Sequence, residues 1–142
     1  MSWAGWALLS ACFAALTAIL AKVGIQGIPS NLAMAVRTSV VLVAAWGLVL
    51  ARGEARELTA LPQKTLLFLV LSGLATGASW LCYFKALALG PVSRVAPIDK
   101  LSFVLAAILA VVFLKEKLTW PLALGCLLIV AGVLLTLYSP TK

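Results

Sequence analysis

Trp3–Ala21, WAGWALLSACFAALTAILA, runs for nineteen residues without one charged side chain. As a helix rising about 1.5 Å per residue it reaches roughly 28 Å, close to the ~30 Å hydrocarbon core of a bilayer. Lys22 ends the run, and the breaker-rich VGIQGIPSN (23–31) turns the chain back. The run lacks a basic start, is longer than a signal-peptide core and is followed by four more apolar runs, so it is expected to stay in the mature protein.

Working outward, the second run covers about 32–51 and leads into the polar RGEARELTALPQK (52–64). The third covers about 65–89 and closes at Gly90-Pro91. The fourth covers about 92–114, the charged KEK of 115–117 marks a surface, and the fifth covers about 119–138 before Ser139-Pro140. Thr119 is placed to cap the last helix, with Pro121 in its first turn. The composition agrees: of 142 residues 64% are hydrophobic and 11% charged, with a mean hydropathy of +1.16, far from a soluble domain. In lipid every backbone polar group must be satisfied within its own segment, and these runs do not alternate apolar with polar residues as a barrel's strands do. The expected fold is all-α: one domain, 1–142, a polytopic bundle of five transmembrane helices in the lipid bilayer.

A net charge of +7 does not point to nucleic acid. The Lys and Arg residues stand singly between apolar runs and form no basic stripe; there they set orientation and meet anionic headgroups. Cys12, Cys82 and Cys126 are scattered, without CxxC spacing, and the chain has no histidine, so no metal centre is expected. No cofactor is implied either. With neither a carboxylate dyad nor a serine beside a base, enzymatic chemistry lacks its usual parts.

The informative charges are those the apolar runs do not exclude. The clean stretches 38–51 and 101–114 each reach only about 21 Å, so the second and fourth helices carry charge below the surface. Arg37 lies inside the second helix, Lys85 near the end of the third, and Asp99 with Lys100 inside the fourth. In antiparallel hairpins these, with Lys22, lie toward one membrane face. Neighbours on a helix point about 100° apart, so Asp99 is expected to pair with Lys85, Arg37 or Lys22 rather than with Lys100. Intramembrane charges normally face a bundle interior or a wet cavity. Lys22, Arg37, Lys85, Asp99 and Lys100 are therefore candidates to line one, net positive and suited to an anionic or zwitterionic solute, with Trp80 and Tyr83 placed to stack on it. The plainer alternatives stand beside this: Asp99 in a first helical turn near Pro97, the lysines snorkelling to headgroups, Arg37 anchoring its helix. Trp3, Trp6 and Trp120 fit an aromatic belt.

Small residues mark close approaches. Gly73 and Gly77 are four apart in GLATG, and Gly125 and Gly132 seven apart in GCLLIVAG; either pair suits an interface within the bundle or between chains.

From Tyr83 onward, YFKALALGPVSRVAPIDKLSFVLAAILAVVFLKEKLTWPLALGCLLIVAGVLL resembles the EamA domain of the drug/metabolite transporter superfamily, and ILAKVGI (19–25) at the end of the first helix is similar too. KALALG (85–90), VAPI (95–98), the turn with Glu116 and the glycines of the last helix carry the likeness. It implies transport of a small metabolite by alternating access, through two five-helix halves often fused as inverted repeats. This chain matches one half, so the resemblance implies that another polypeptide supplies the second, most simply as a homodimer whose second copy lies upside down in the plasma membrane of a bacterium or archaeon. The last helix also resembles small multidrug resistance transporters, whose antiparallel subunits pair through a glycine pair spaced like Gly125 and Gly132. Those transporters need a carboxylate eight residues before a lysine, and Ala14 stands eight before Lys22. If protons are coupled, Asp99 is the candidate. A non-transporting interaction subunit of another membrane protein remains the competing reading.

Basic residues do not fix one orientation. Arg52, Arg56, Lys64, Lys115 and Lys117 lie on the N-terminal side; Lys22, Arg37, Lys85, Arg94, Lys100 and Lys142 lie opposite. Setting aside the embedded Arg37, Lys85 and Lys100 leaves a modest preference for the N-terminus inside, which keeps dual insertion open.

Overall fold

Ser2 opens the first helix, because its extended backbone lets the Oγ accept the Gly5 amide at 3.3 Å, removing one of the orphan donors of a helix start. In the computed structural model, which describes residues 2–138, α1 then runs Trp3–Gly24 and α2 runs Ser30–Ala51. A 3-10 helix occupies Glu54–Ala60, and α3 follows over Gln63–Leu89. Beyond it lie α4 (Val92–Asp99), α5 (Leu101–Phe113) and α6 (Trp120–Tyr138). No strand occurs among the described residues, and five stretches are long and apolar enough to cross a membrane, α4 with α5 forming one of them. The chain is an all-α, multi-pass membrane protein. Ser139-Pro140 and Lys142 lie outside the described residues.

The turns follow local chemistry. Gly53 has φ +71° directly after α2, and Gly27 has φ +77° between α1 and α2, left-handed backbone that glycine adopts without steric cost. Lys115 takes the same conformation after α5, with φ +55°, and carries a Cβ that disfavours it by about 1–2 kcal/mol. Lys115→Gly is expected to raise stability by about 1 kcal/mol in reversible unfolding in detergent.

The residues divide into two compact units, up to Leu89 and from Gly90. In the first, α3 packs on α2 and α1, and the 3-10 helix packs on the end of α2. Its core is small: Ala18 and Ile25 from α1, Phe84 and Leu87 from α3. Trp80, Phe84 and Leu87 fall at i, i+4 and i+7 on α3, one stripe of a helix surface. Most remaining large apolar side chains are exposed, as expected where lipid is the outer solvent.

In the second unit, α6 packs on both α4 and α5, and Val133 is its buried residue. The fourth span departs from the sequence expectation of one unbroken helix. Pro97 lacks an amide hydrogen, so the Ser93 carbonyl has no i+4 donor, and the helix is interrupted at Lys100 between α4 and α5. There the Lys100 amide approaches the Pro97 carbonyl at 3.0 Å and the Ser102 hydroxyl donates to the Asp99 carbonyl at 2.6 Å.

Candidate functional site

The α1 end of the first unit is held by a lysine. Lys22 lies in the last turn of α1, and its Nζ donates to the Leu87 carbonyl at 2.6 Å, near the C-terminus of α3, where unmatched carbonyls and the helix dipole favour a cation. Leu87 is fully buried. Hydrogen bonds to charged groups contribute about 1.5–3 kcal/mol, and with Lys22 half-buried the lower end applies. Lys22→Met is expected to lower stability by about 1–2 kcal/mol in the same unfolding assay, by freeing the end of α3 from α1.

Arg37 projects from α2 seven residues, or about 10 Å, beyond the helix start at Ser30. Its Cζ sits over the Trp80 ring at 4.5 Å from the centroid and over the Phe84 ring at 5.5 Å. Two residues four apart on α3 thus offer ring faces to one cation, an attraction of about 2 kcal/mol or more where water is excluded. Tyr83 meets Phe84 edge-on, with centroids 6.4 Å apart and planes at 73°. The guanidinium makes no ion pair or hydrogen bond among the described residues. The only acids of this unit, Glu54 and Glu57, belong to the 3-10 helix beyond the far end of α2. A guanidinium on a ring face keeps its N–H bonds in its own plane, where a carboxylate can take two of them.

Beside Arg37 is a cavity of 370 Å³ formed by Thr17, Leu20, Ala21, Gly24, Ile28, Ala33, Val36, Arg37 and Phe84. Its wall is apolar apart from Arg37 and Thr17. Thr38, Ser39 and Thr76 turn their hydroxyls back to carbonyls four residues earlier, at 2.8, 3.1 and 2.9 Å. Thr17 makes no such bond among the described residues, which leaves its hydroxyl to the cavity. The site therefore combines one unpaired cation, one hydroxyl and an apolar wall, at a volume typical of small-ligand pockets.

The other candidates fall elsewhere. Lys85 is exposed although it adjoins Phe84 in sequence, because consecutive residues leave a helix about 100° apart. Asp99 pairs with Lys100, Nζ to Oδ2 at 3.4 Å, a contact the sequence reading had set aside for neighbours on one helix. Lys100 keeps right-handed helical backbone, φ −70° and ψ −11°, and it is the length of its side chain that lets the Nζ reach back across the ~100° between neighbours. Asp99 also ends α4 instead of sitting in a first turn. Phe84 and Thr17 were not anticipated, though the stripe of Trp80, Phe84 and Leu87 was open to a helical-period reading.

A larger cavity of 420 Å³ lies between α5 and α6, among Val104, Ala107, Val111, Cys126 and Val130. It offers no polar group with which to select a charged solute. An alanine Cβ at Gly73, Gly77, Gly125 or Gly132 would meet no atom within 4 Å, so each of these glycines borders open space.

The EamA-like transporter family matches residues 1–138. The chain belongs to that family. It is 55% identical over 134 residues to a protein of a Sinorhizobium species named "Uncharacterized transporter in cobO 3'region", a match spanning 94% of this chain and 95% of the relative. It is also 33% identical over 73 residues to an uncharacterised protein of Methanocaldococcus jannaschii, covering 51% of this chain and 53% of that one. No solved structure matches the EamA-like chain significantly.

Proposed function

We propose that this EamA-like membrane transporter moves a small anionic or zwitterionic metabolite across a bacterial or archaeal plasma membrane by alternating access, as a homodimer. The observation that carries the reading is Arg37: a guanidinium within a spanning helix, seated on Trp80 and Phe84, without an acid beside it, and open to a 370 Å³ cavity. A charge at such depth costs a few kcal/mol, and a counter-anion brought by the solute offsets that cost only while the site is occupied. Membership of a transporter family and a relative named as a transporter support the activity. The open space at Gly73, Gly77, Gly125 and Gly132 supports a partner chain, because small residues let helix backbones approach closely. An inverted second copy supplies the half that alternating access requires. In this reading Asp99, paired with Lys100 at the break between α4 and α5, is the carboxylate that takes part in the cycle.

The test is uptake of a labelled metabolite panel into proteoliposomes holding the purified chain, compared with Arg37→Gln and Asp99→Asn. Uptake that depends on both residues is expected. Solute movement unchanged in both variants would contradict the site, and no movement or solute-dependent stabilisation across the panel would favour an interaction subunit.

A further inference from the structure

Resting on that reading of the Arg37 cavity, we infer that its solute is a monoanion with an apolar body, a monocarboxylate of about ten heavy atoms, and not a zwitterion or a dianion. The cavity in the first unit carries one cation and no acid. A single guanidinium fork matches one carboxylate. A second carboxylate, or the ammonium of an amino acid, must enter against Leu20, Ile28, Val36 and Phe84 with no group to replace its hydration, which is costly. Of the other cations at this end, Lys22 is engaged with the Leu87 carbonyl and Lys85 is exposed; neither lines the cavity. An aliphatic or aromatic body, by contrast, meets a wall of its own kind. The cavity is open on one side, and its 370 Å³ covers a body on the order of ten water-sized groups at roughly 30 Å³ each, the scale of a carboxylate with seven to nine carbons. Thr17 is the one hydroxyl-bearing residue of the lining.

The same chemistry belongs to a fatty acid of the bilayer and to a free short-chain acid, and chain length separates them. Isothermal calorimetry on the full-length protein in nanodiscs, with straight-chain acids from butyrate to hexadecanoate, is expected to show affinity rising up to about four-fold per methylene. The rise stops near octanoate to decanoate, where the cavity is full. Hexylamine should give no heat that depends on Arg37, and leucine and adipate should bind at least ten-fold more weakly than hexanoate. Arg37→Gln should weaken the whole carboxylate series by about 10- to 100-fold, and Ala33→Leu, which narrows the cavity, should shift the optimum to shorter acids. A rise continuing to hexadecanoate would identify a lipid and overturn the inference. Leucine or adipate binding through Arg37 as tightly as hexanoate would overturn the monoanion class while leaving Arg37-dependent transport standing. Absence of carboxylate binding, with Arg37-dependent uptake of another metabolite, would also overturn only the class. Absence of both overturns the site itself.

Discussion

Arg37→Gln is expected to lower affinity for a carboxylate solute by about 10- to 100-fold while leaving the fold intact. The magnitude comes from a charge-assisted hydrogen bond, about 1.5–3 kcal/mol, at 1.4 kcal/mol per factor of ten. Gln is a good helix former, so α2 should persist. Two further terms act in opposite directions on stability: the seat on Trp80 and Phe84 is lost, and an intramembrane charge with its burial cost is removed. They nearly cancel. Arg37→Lys keeps the charge but loses the planar fork and much of the ring contact, and should fall between Gln and wild type. Calorimetric affinity and unfolding in detergent, measured on the same samples, separate this from simple anchoring. An anchor predicts altered stability with unchanged binding; a solute contact predicts the reverse.

Phe84→Ala is expected to be the most destabilising single truncation in the first unit. Phe84 is 2% exposed, Leu87 0%, and the two are the largest fully buried side chains among the described residues. In water Phe→Ala in a core costs about 3–5 kcal/mol. In a bilayer the transfer part shrinks, because lipid tails are as apolar as the protein interior; the void remains, at about 24 cal/mol per Å³. A loss of about 2–3 kcal/mol follows, with weaker solute binding because the same ring forms cavity wall and guanidinium seat. Val43, 71% exposed on α2, supplies the contrast: Val43→Ala should change stability by less than about 0.5 kcal/mol. Equal losses in the two variants would mean that the packing of α3 on α1 and α2 does not hold this unit together.

The spans were legible because crossing ~30 Å of hydrocarbon demands long apolar runs, and such runs leave little ambiguity. The expected limits of about 3–21, 32–51, 65–89, 92–114 and 119–138 fall within a few residues of the helices found. The 3-10 helix at Glu54–Ala60 was hidden, since short 3-10 segments have no apolar period to read. The interruption at Lys100 was half visible: Pro97 announced a lost hydrogen bond, but the contact of Asp99 with Lys100 is made by a long, flexible side chain, which helical spacing does not specify. Arg37 stood out as a charge in an apolar helix. Trp80 was read as a platform for the solute, not for Arg37, and Phe84 was not singled out, because an arginine's long side chain reaches residues that only packing specifies.

The reading of this chain as half of an inverted pair is tested most directly by the membrane orientation of Lys142→Cys, in a version lacking Cys12, Cys82 and Cys126. A membrane-impermeant thiol reagent is applied to intact cells and then to opened ones. About half of the molecules are expected to label from outside, as a pair of inverted copies requires. Labelling confined to one side would contradict the antiparallel homodimer and require a parallel pair or a different partner chain.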